Sequence, residues 1–172
     1  MFENLNKHRH IVVTGPQRSG TTICTKMIAD SLGHQCILEE EFSTDNVRKD
    51  FNLLYMRLQD KKDSKAVYQV PALSAYVHLL PAHVAVVFMI RSESGIRASQ
   101  NRIGWPDEQR MLSRYFRIAG PISSVKYEVW KLWQKPCITH AYEIEYESLK
   151  GHHLWINEGL RRSFGPRTTE RV

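Results

Sequence analysis

The residues best suited to chemistry form a glycine-containing loop near the start of the chain. Gly15 and Gly20 bracket this loop, Arg18 lies inside it, and Thr21 and Thr22 follow it. A short β-branched run precedes the loop, and a segment with helical periodicity comes after it. A strand, a glycine turn and a helix N-terminus in that order surround a phosphate with backbone N–H groups. The sequence therefore predicts an anion site formed by Gly15, Pro16, Gln17, Arg18, Ser19, Gly20, Thr21 and Thr22.

The loop departs from the common nucleoside-triphosphate pattern GxxxxGK[ST] at one important position. Thr21 stands where that pattern has the lysine that reaches the β- and γ-phosphates. A carboxylate that holds Mg²⁺ is also expected after a neighbouring apolar strand. Arg91 instead follows the apolar run over residues 84–90. Arg18 is a cation inside the loop, and Arg91 is a second arginine at the same edge of the predicted sheet. This pair indicates a ligand that carries two separate phosphates and is bound without a metal ion.

These residues resemble the signature motifs of sulfotransferases that use 3′-phosphoadenosine 5′-phosphosulfate (PAPS). Bacterial members carry loops of the form PRSGTT or QRSGTT, and this chain has Gln17-Arg-Ser-Gly-Thr-Thr22. The second family signature is an apolar strand ending in arginine, with a serine eight residues later, and Arg91 and Ser99 have that spacing. Tyr146-Glu-Ser-Leu149 is similar to the family's YEDL segment. The matches follow the family's order and cover residues 11–25, 84–102 and 142–149.

The resemblance implies a P-loop fold and transfer of a sulfuryl group from PAPS to a hydroxyl or amine of a small-molecule or glycan acceptor. The product nucleotide would be 3′-phosphoadenosine 5′-phosphate (PAP), and no metal ion would take part. The loop over residues 15–22 would hold the 5′-phosphosulfate, with Arg18 neutralising the leaving phosphate oxygen. Arg91 and Ser99 would hold the 3′-phosphate, and Arg167, in a basic C-terminal segment, would help to close that site.

An acidic triplet supplies the candidates for the general base that the acceptor requires. Glu39, Glu40 and Glu41 follow the second predicted strand, whereas the third strand ends in Gln69, which takes no proton at neutral pH. In the bacterial trehalose-type sulfotransferases a glutamate followed by an aromatic residue stands at this place. The resemblance therefore favours Glu41, with Glu40 next. The alternative is that the triplet forms a solvated corner between a strand and a helix.

Alternating strands and helices must position these groups. Apolar and β-branched runs predict strands over residues 10–14, 35–38, 66–70, 84–90 and 138–146. Helical spacing predicts helices over residues 22–32, 47–58, 72–80, 92–102, 106–119, 122–133 and 152–164. In the 122–133 segment, Val129 and Trp133 share one apolar face with Ile122 and Val125.

This alternation predicts a single-domain α/β fold over residues 1–172, with three layers and a central parallel sheet of about five strands flanked by helices. The unbroken apolar run over residues 84–90 is typical of a strand buried on both faces. Ligands of such sheets bind beyond the carboxyl ends of the strands. The glycine loop, the acidic triplet, Gln69 and Arg91 are all expected at that edge.

Composition narrows the class of ligand. The 172 residues include 24 Lys and Arg against 18 Asp and Glu, a formal charge of +6 that favours an anionic ligand. The three cysteines form no CxxC pair, which disfavours a disulfide framework or a zinc site and favours a reducing compartment. The longest apolar run is far below the ~20 residues of a membrane span. We therefore expect a cytoplasmic protein that binds neither membranes nor nucleic acid.

Two other functions remain open from the sequence. The first is phosphoryl transfer by a P-loop nucleotide kinase or NTPase with a degenerate loop. The absence of both the loop lysine and a carboxylate at the end of a neighbouring strand argues against it. The second is a non-catalytic nucleotide-binding module that retains the bisphosphate site. The chain is short for a sulfotransferase, so a second subunit of a homo-oligomer is one source of residues for the acceptor pocket.

Overall fold

The computed structural model describes residues 1–44, 46–59, 65–103 and 122–156, and its centre is a parallel β-sheet. The five strands are β1 (His10–Thr14), β2 (Gln35–Ile37), β3 (Ala66–Gln69), β4 (Ala85–Ile90) and β5 (His140–Glu145). Their order across the sheet is β2-β3-β1-β4-β5, and every neighbouring pair is parallel. The predicted α/β fold with a five-stranded parallel sheet is confirmed.

Helices connect the strands and cover both faces of the sheet. They are α1 (Thr21–Leu32), α2 (Val47–Gln59), α3 (Glu93–Arg102) and α4 (Ile122–Val129), and α4 continues through a π-helical turn, Trp130–Gln134. The segment predicted as a helix after β3 forms a 3-10 helix, Pro71–Leu79. The helix predicted over residues 106–119 lies outside the described residues. Residues 152–156, where a further helix was expected to begin, are not helical, and the remainder of that segment is not described.

The residues of each strand point alternately into two apolar cores. On the α1 side, Ile11 and Val13 of β1 pack with Val87 and Met89 of β4. On the other side, next to α2 and α4, β4 contributes Phe88, whose ring stacks on Trp130 with centroids 4.7 Å apart. Both faces of β4 are therefore buried, as the unbroken apolar run predicts. β5 lies at the edge of the sheet and is only half-buried.

The apolar face predicted for α4 is wrong at one residue. Trp133 is 70% exposed, whereas Trp130 is fully buried. Regular α-helical spacing would place residue 133 beneath Val129, but the helix widens into the π turn at Trp130. The wider turn moves Trp133 away from the core and gives the buried position to Gln134, which is 2% exposed.

Three further observations bear on the sequence predictions. Among the described residues, no helix combines the length and the apolar character needed to cross a membrane. The cysteines, Cys24, Cys36 and Cys137, form no disulfide. The carboxyl ends of β1, β3 and β4 lie side by side, since β1 pairs with both other strands. The glycine loop, Gln69 and Arg91 therefore emerge at one edge of the sheet.

Candidate functional site

The glycine loop joins β1 to α1 and has a backbone conformation suited to holding an anion. Three of its residues have positive φ: Gly15 at 140°, Arg18 at 69° and Gly20 at 99°. Left-handed residues among right-handed ones turn successive N–H groups towards one point, which forms an anion-binding concavity. A positive φ is uncommon for a residue with a side chain, and Arg18 is the one such residue in the described part of the chain.

A buried serine hydroxyl lies inside this loop. Ser19 is fully buried, and its backbone N–H donates to Pro16 O at 3.1 Å. Its Oγ has no hydrogen-bond partner among the described residues. A buried hydroxyl of this kind costs free energy unless another group satisfies it. Ser19 Oγ therefore adds a polar group at the place where the loop would hold a ligand.

The two loop glycines are required by close packing as well as by their backbone conformation. A Cβ on Gly15 would lie 3.0 Å from the carbonyl oxygen of Met89. A Cβ on Gly20 would lie 2.5 Å from Cδ2 of Tyr146. The loop is thus pressed against the end of β4 on one side and against the ring of Tyr146 on the other.

Arg18, Arg91 and Ser99 meet at the mouth of the loop. Arg18 Nε donates to Ser99 Oγ at 3.2 Å, and Arg91 Nη1 donates to the carbonyl oxygen of Arg18 at 3.0 Å. Arg102 adds a longer contact, with Nη2 3.4 Å from Ser99 Oγ. The structure brings together all three residues that the sequence motifs singled out. Their roles towards a nucleotide stay predictions.

Three neighbours set the position of the Arg91 side chain. Its guanidinium carbon lies 3.9 Å from the centre of the Tyr146 ring, a cation–π contact. Ser92 caps α3 by accepting from the N–H of Gly95 at 3.2 Å. A Cβ on Gly95 would approach Arg91 Nε to 2.9 Å, so the lack of a side chain there leaves room for the guanidinium. Tyr146 therefore supports both Arg91 and the glycine loop.

Gln69, at the end of β3, contacts the first turn of α1. Its Nε2 lies 2.9 Å from Thr22 Oγ1 and 3.4 Å from Thr21 Oγ1. A P-loop enzyme that uses Mg²⁺ needs a carboxylate close to this hydroxyl. Here a neutral amide takes that position, so this side chain supplies no charge to a metal ion.

The acidic triplet forms a 3-10 turn, Glu39–Glu41, in which the three side chains diverge. Glu39 is half-buried, and its Oε1 accepts from the N–H of Ala72 at 3.0 Å. Burial raises the pKa of Glu39 above the ordinary value. Glu40 is exposed, and Glu41 turns back to accept from the N–H of Leu38 at 2.9 Å. The sequence favoured Glu41, whereas Glu39 is the carboxylate that faces the chain after β3.

Lys126 is a site residue that sequence analysis missed. It projects from α4, is 7% exposed, and its Nζ lies 2.5 Å from Gln17 Oε1 and 3.3 Å from the carbonyl oxygen of Pro71. No motif marks this residue. The one sequence feature that could have identified Lys126 is its place in the apolar face of α4, next to Val125 and Val129. A lysine is unusual in such a face unless it has polar partners.

Other residues bear less directly on the site. Arg167 lies outside the described residues. Asp30, His152 and His153 bring three potential metal ligands within 4.8 Å of one another, near the end of α1 that is remote from the loop. The N–H of Leu154 donates to His152 Nδ1, and His152 Nε2 lies 3.0 Å from Ser31 Oγ, so both ring nitrogens have hydrogen-bond partners within the protein.

Comparison with known proteins assigns the chain to no family. No protein-family model matches the chain, and no curated protein matches it. Among solved structures, the chain is similar to shikimate kinase from Acinetobacter baumannii in complex with shikimate. The identity is 13%, the alignment covers 84% of this chain and 88% of that chain, and the TM-score is 0.46. The sheet order β2-β3-β1-β4-β5 and the glycine loop between β1 and α1 are those of a P-loop α/β fold.

Proposed function

We propose that this protein binds PAPS and transfers its sulfuryl group to a hydroxyl or amine of a small-molecule or glycan acceptor. The observation that carries the proposal is the cluster of Arg18, Arg91 and Ser99 at the mouth of the glycine loop. These residues come from three different elements, namely the loop, the end of β4 and the middle of α3.

The cluster has the chemistry of a phosphate site separate from the loop itself. Ser99 is 4% exposed and receives hydrogen bonds from Arg18 and Arg102. Guanidinium groups gathered around one hydroxyl repel each other, and a dianionic phosphate between them would relieve that repulsion. A loop for one phosphate and a basic cluster for another fit an adenosine that carries phosphates at both its 5′ and 3′ positions.

The proposed reaction breaks the bond between sulfur and the bridging phosphate oxygen, whose electron pair stays with PAP. The acceptor oxygen or nitrogen forms the new bond to sulfur, and its proton passes to a base. Backbone N–H groups of the loop and of the first turn of α1 neutralise the departing oxygen, while the Arg18 guanidinium, which donates to Ser99 Oγ, belongs to the separate phosphate cluster. Catalysis of this kind depends chiefly on positioning and on preorganised charge.

A carboxylate after β2 is the proposed base, and the geometry favours Glu39 within the triplet. Burial raises the pKa of Glu39, which makes this carboxylate a stronger base than an ordinary one. Glu41 and Glu40 are the exposed alternatives. We expect Glu39→Gln to slow the formation of PAP by ~10²-fold without changing PAP affinity. A larger effect of Glu41→Gln would assign the role to Glu41.

Phosphoryl transfer is the second candidate, because kinases share this fold. Gln69 facing Thr22 and Arg91 after β4 argue against it, since neither flanking strand brings a carboxylate to the loop. Lys126, which reaches loop residue Gln17 from α4, favours it, because a lysine near the transferred phosphate is part of such sites. The non-catalytic module is the third candidate.

Thermal unfolding with a nucleotide panel separates these functions. We expect PAP, in EDTA and at about 100 times its Kd, to stabilise the protein by about 2.7 kcal/mol. That corresponds to a rise of roughly 5–11 °C in Tm for a chain of this size. A larger shift with ATP and Mg²⁺ than with PAP would support phosphoryl transfer instead. PAP binding without any conversion of PAPS, across a panel of acceptors, would support the non-catalytic module.

A further inference from the structure

We infer that Lys126 supplies, from α4, the positive charge at the transferred group that the glycine loop itself lacks at Thr21. This inference rests on the proposed function, and it adds a residue that carries no sequence motif. In the common P-loop pattern the corresponding lysine belongs to the loop. Here the juxtaposition of Lys126 with Gln17 and Pro71 brings an amine to the same place from a different element.

The position of Lys126 supports this role. Gln17 belongs to the loop after β1, and Pro71 follows β3, the strand that pairs with β1. Lys126 Nζ contacts both, so it bridges the carboxyl ends of two adjacent strands. In a sheet of this type that edge is where the ligand binds. Lys126 therefore lies between the glycine loop and the 3-10 helix that follows β3.

The burial of the Lys126 side chain supports the same role. Lysine is seldom buried to 93%, because removing its ammonium from water is costly unless polar groups receive its protons. Gln17 Oε1 and Pro71 O are polar groups that receive such protons. Glu39 is a nearby carboxylate, and the charge of Lys126 lowers its pKa, although burial outweighs this effect. A sulfuryl group beside Lys126 would supply anionic oxygens to the same ammonium.

The chemical role follows from where charge develops. The sulfuryl oxygens carry negative charge throughout the transfer, and the bridging oxygen gains more as its bond to sulfur breaks. The ammonium of Lys126 would stabilise those oxygens by hydrogen bonding. Gln17 acts as a positioning residue, because its amide oxygen holds the lysine side chain towards the loop.

PAPS and PAP differ only in the sulfuryl group. The ratio of their affinities therefore measures the contact between Lys126 and that group. Calorimetric titrations in EDTA measure both Kd values for the wild type, Lys126→Met and Lys126→Arg. Lys131→Met is the matched control, since Lys131 lies on the same helical segment and is exposed. We expect Lys126→Met to weaken PAPS at least about tenfold relative to PAP, Lys126→Arg to restore most of the preference, and Lys131→Met to change neither.

The outcomes separate this inference from the proposed function. An equal loss for PAPS and PAP, or no loss, in Lys126→Met would overturn the role of Lys126 and leave the nucleotide site intact. Binding of neither nucleotide by the wild type would overturn the proposed function and this inference with it. If Lys126→Met shows no cooperative unfolding transition, the same ratio in Lys126→Gln decides the question by the same criterion.

Discussion

Replacing Gly20 with alanine tests how closely the glycine loop packs against Tyr146. Gly20 has φ 99°, and an added Cβ would lie 2.5 Å from Cδ2 and 2.7 Å from Cε2 of Tyr146. The ring has little room to retreat, because Tyr146 is 1% exposed and lies between Arg91 and Trp155. The variant therefore strains both the backbone and the packing.

The two costs add to a measurable loss of stability. A positive φ costs alanine about 1–2 kcal/mol, and forcing an extra methyl group into a packed site costs about 1–3 kcal/mol. A sum of about 3 kcal/mol lowers the Tm by roughly 6–12 °C in a domain of this size. Gly33→Ala is the control, because Gly33 has φ 63° and no described atom lies within 4 Å of its Cβ position. That variant carries only the backbone cost of about 1–2 kcal/mol, which lowers the Tm by roughly 2–8 °C.

Thermal unfolding followed by circular dichroism measures both variants under the same conditions. In the double variant Gly20→Ala with Tyr146→Ala, the loss should be smaller than the sum of the two single losses, because removing the ring removes the collision. If Gly20→Ala is no less stable than Gly33→Ala, or if the losses of Gly20→Ala and Tyr146→Ala simply add, Tyr146 does not pack against the loop at Gly20.

Three further predictions concern the same site and the opposite edge of the sheet. Gly95→Ala brings a Cβ within 2.9 Å of Arg91 Nε. The affinity for PAP should therefore fall about fivefold or more relative to the affinity for adenosine 5′-phosphate. An unchanged ratio of the two affinities in calorimetric titrations would contradict this. Gln69→Glu places a carboxylate beside Thr22, so PAP binding in EDTA should weaken about tenfold and recover in part with Mg²⁺; equal affinity in both buffers, at the wild-type value, would contradict it. Burial lowers the pKa of His8, so the folded state binds fewer protons than the unfolded state and stability should fall as pH drops below about 6.5. Denaturant unfolding of His8→Gln should show a flatter acid dependence, and an unchanged slope would refute the role of His8.

Local patterns were sufficient to predict the sheet and the loop. A β-branched run, a glycine turn and a helical segment, all contiguous, define β1, residues 15–22 and α1. The spacing of Arg91 and Ser99 also carries over, because both belong to one continuous strand–helix unit, β4 followed by α3. Periodicity determines such units without knowledge of the rest of the fold.

Residues whose roles depend on contacts between distant elements were beyond prediction. Lys126 reaches Gln17 across 109 positions of sequence, and nothing local distinguishes it from other helical lysines. Within the acidic triplet, the orientation of the 3-10 turn decides which carboxylate is half-buried, and three consecutive glutamates carry no local pattern that reveals it. The exposure of Trp133 likewise depends on a π turn that regular helical periodicity does not anticipate.

The central claim is that Arg91 and its neighbours hold the 3′-phosphate of an adenosine bisphosphate. Calorimetric titration in EDTA of PAP and of adenosine 5′-phosphate, into the wild type, Arg91→Ala and the exposed control Arg48→Ala, tests it most directly. We expect the wild type and Arg48→Ala to prefer PAP by at least about tenfold, and Arg91→Ala to bind both nucleotides about equally. A wild type without that preference, or an Arg91→Ala variant that keeps it, would show that Arg91 does not hold a 3′-phosphate.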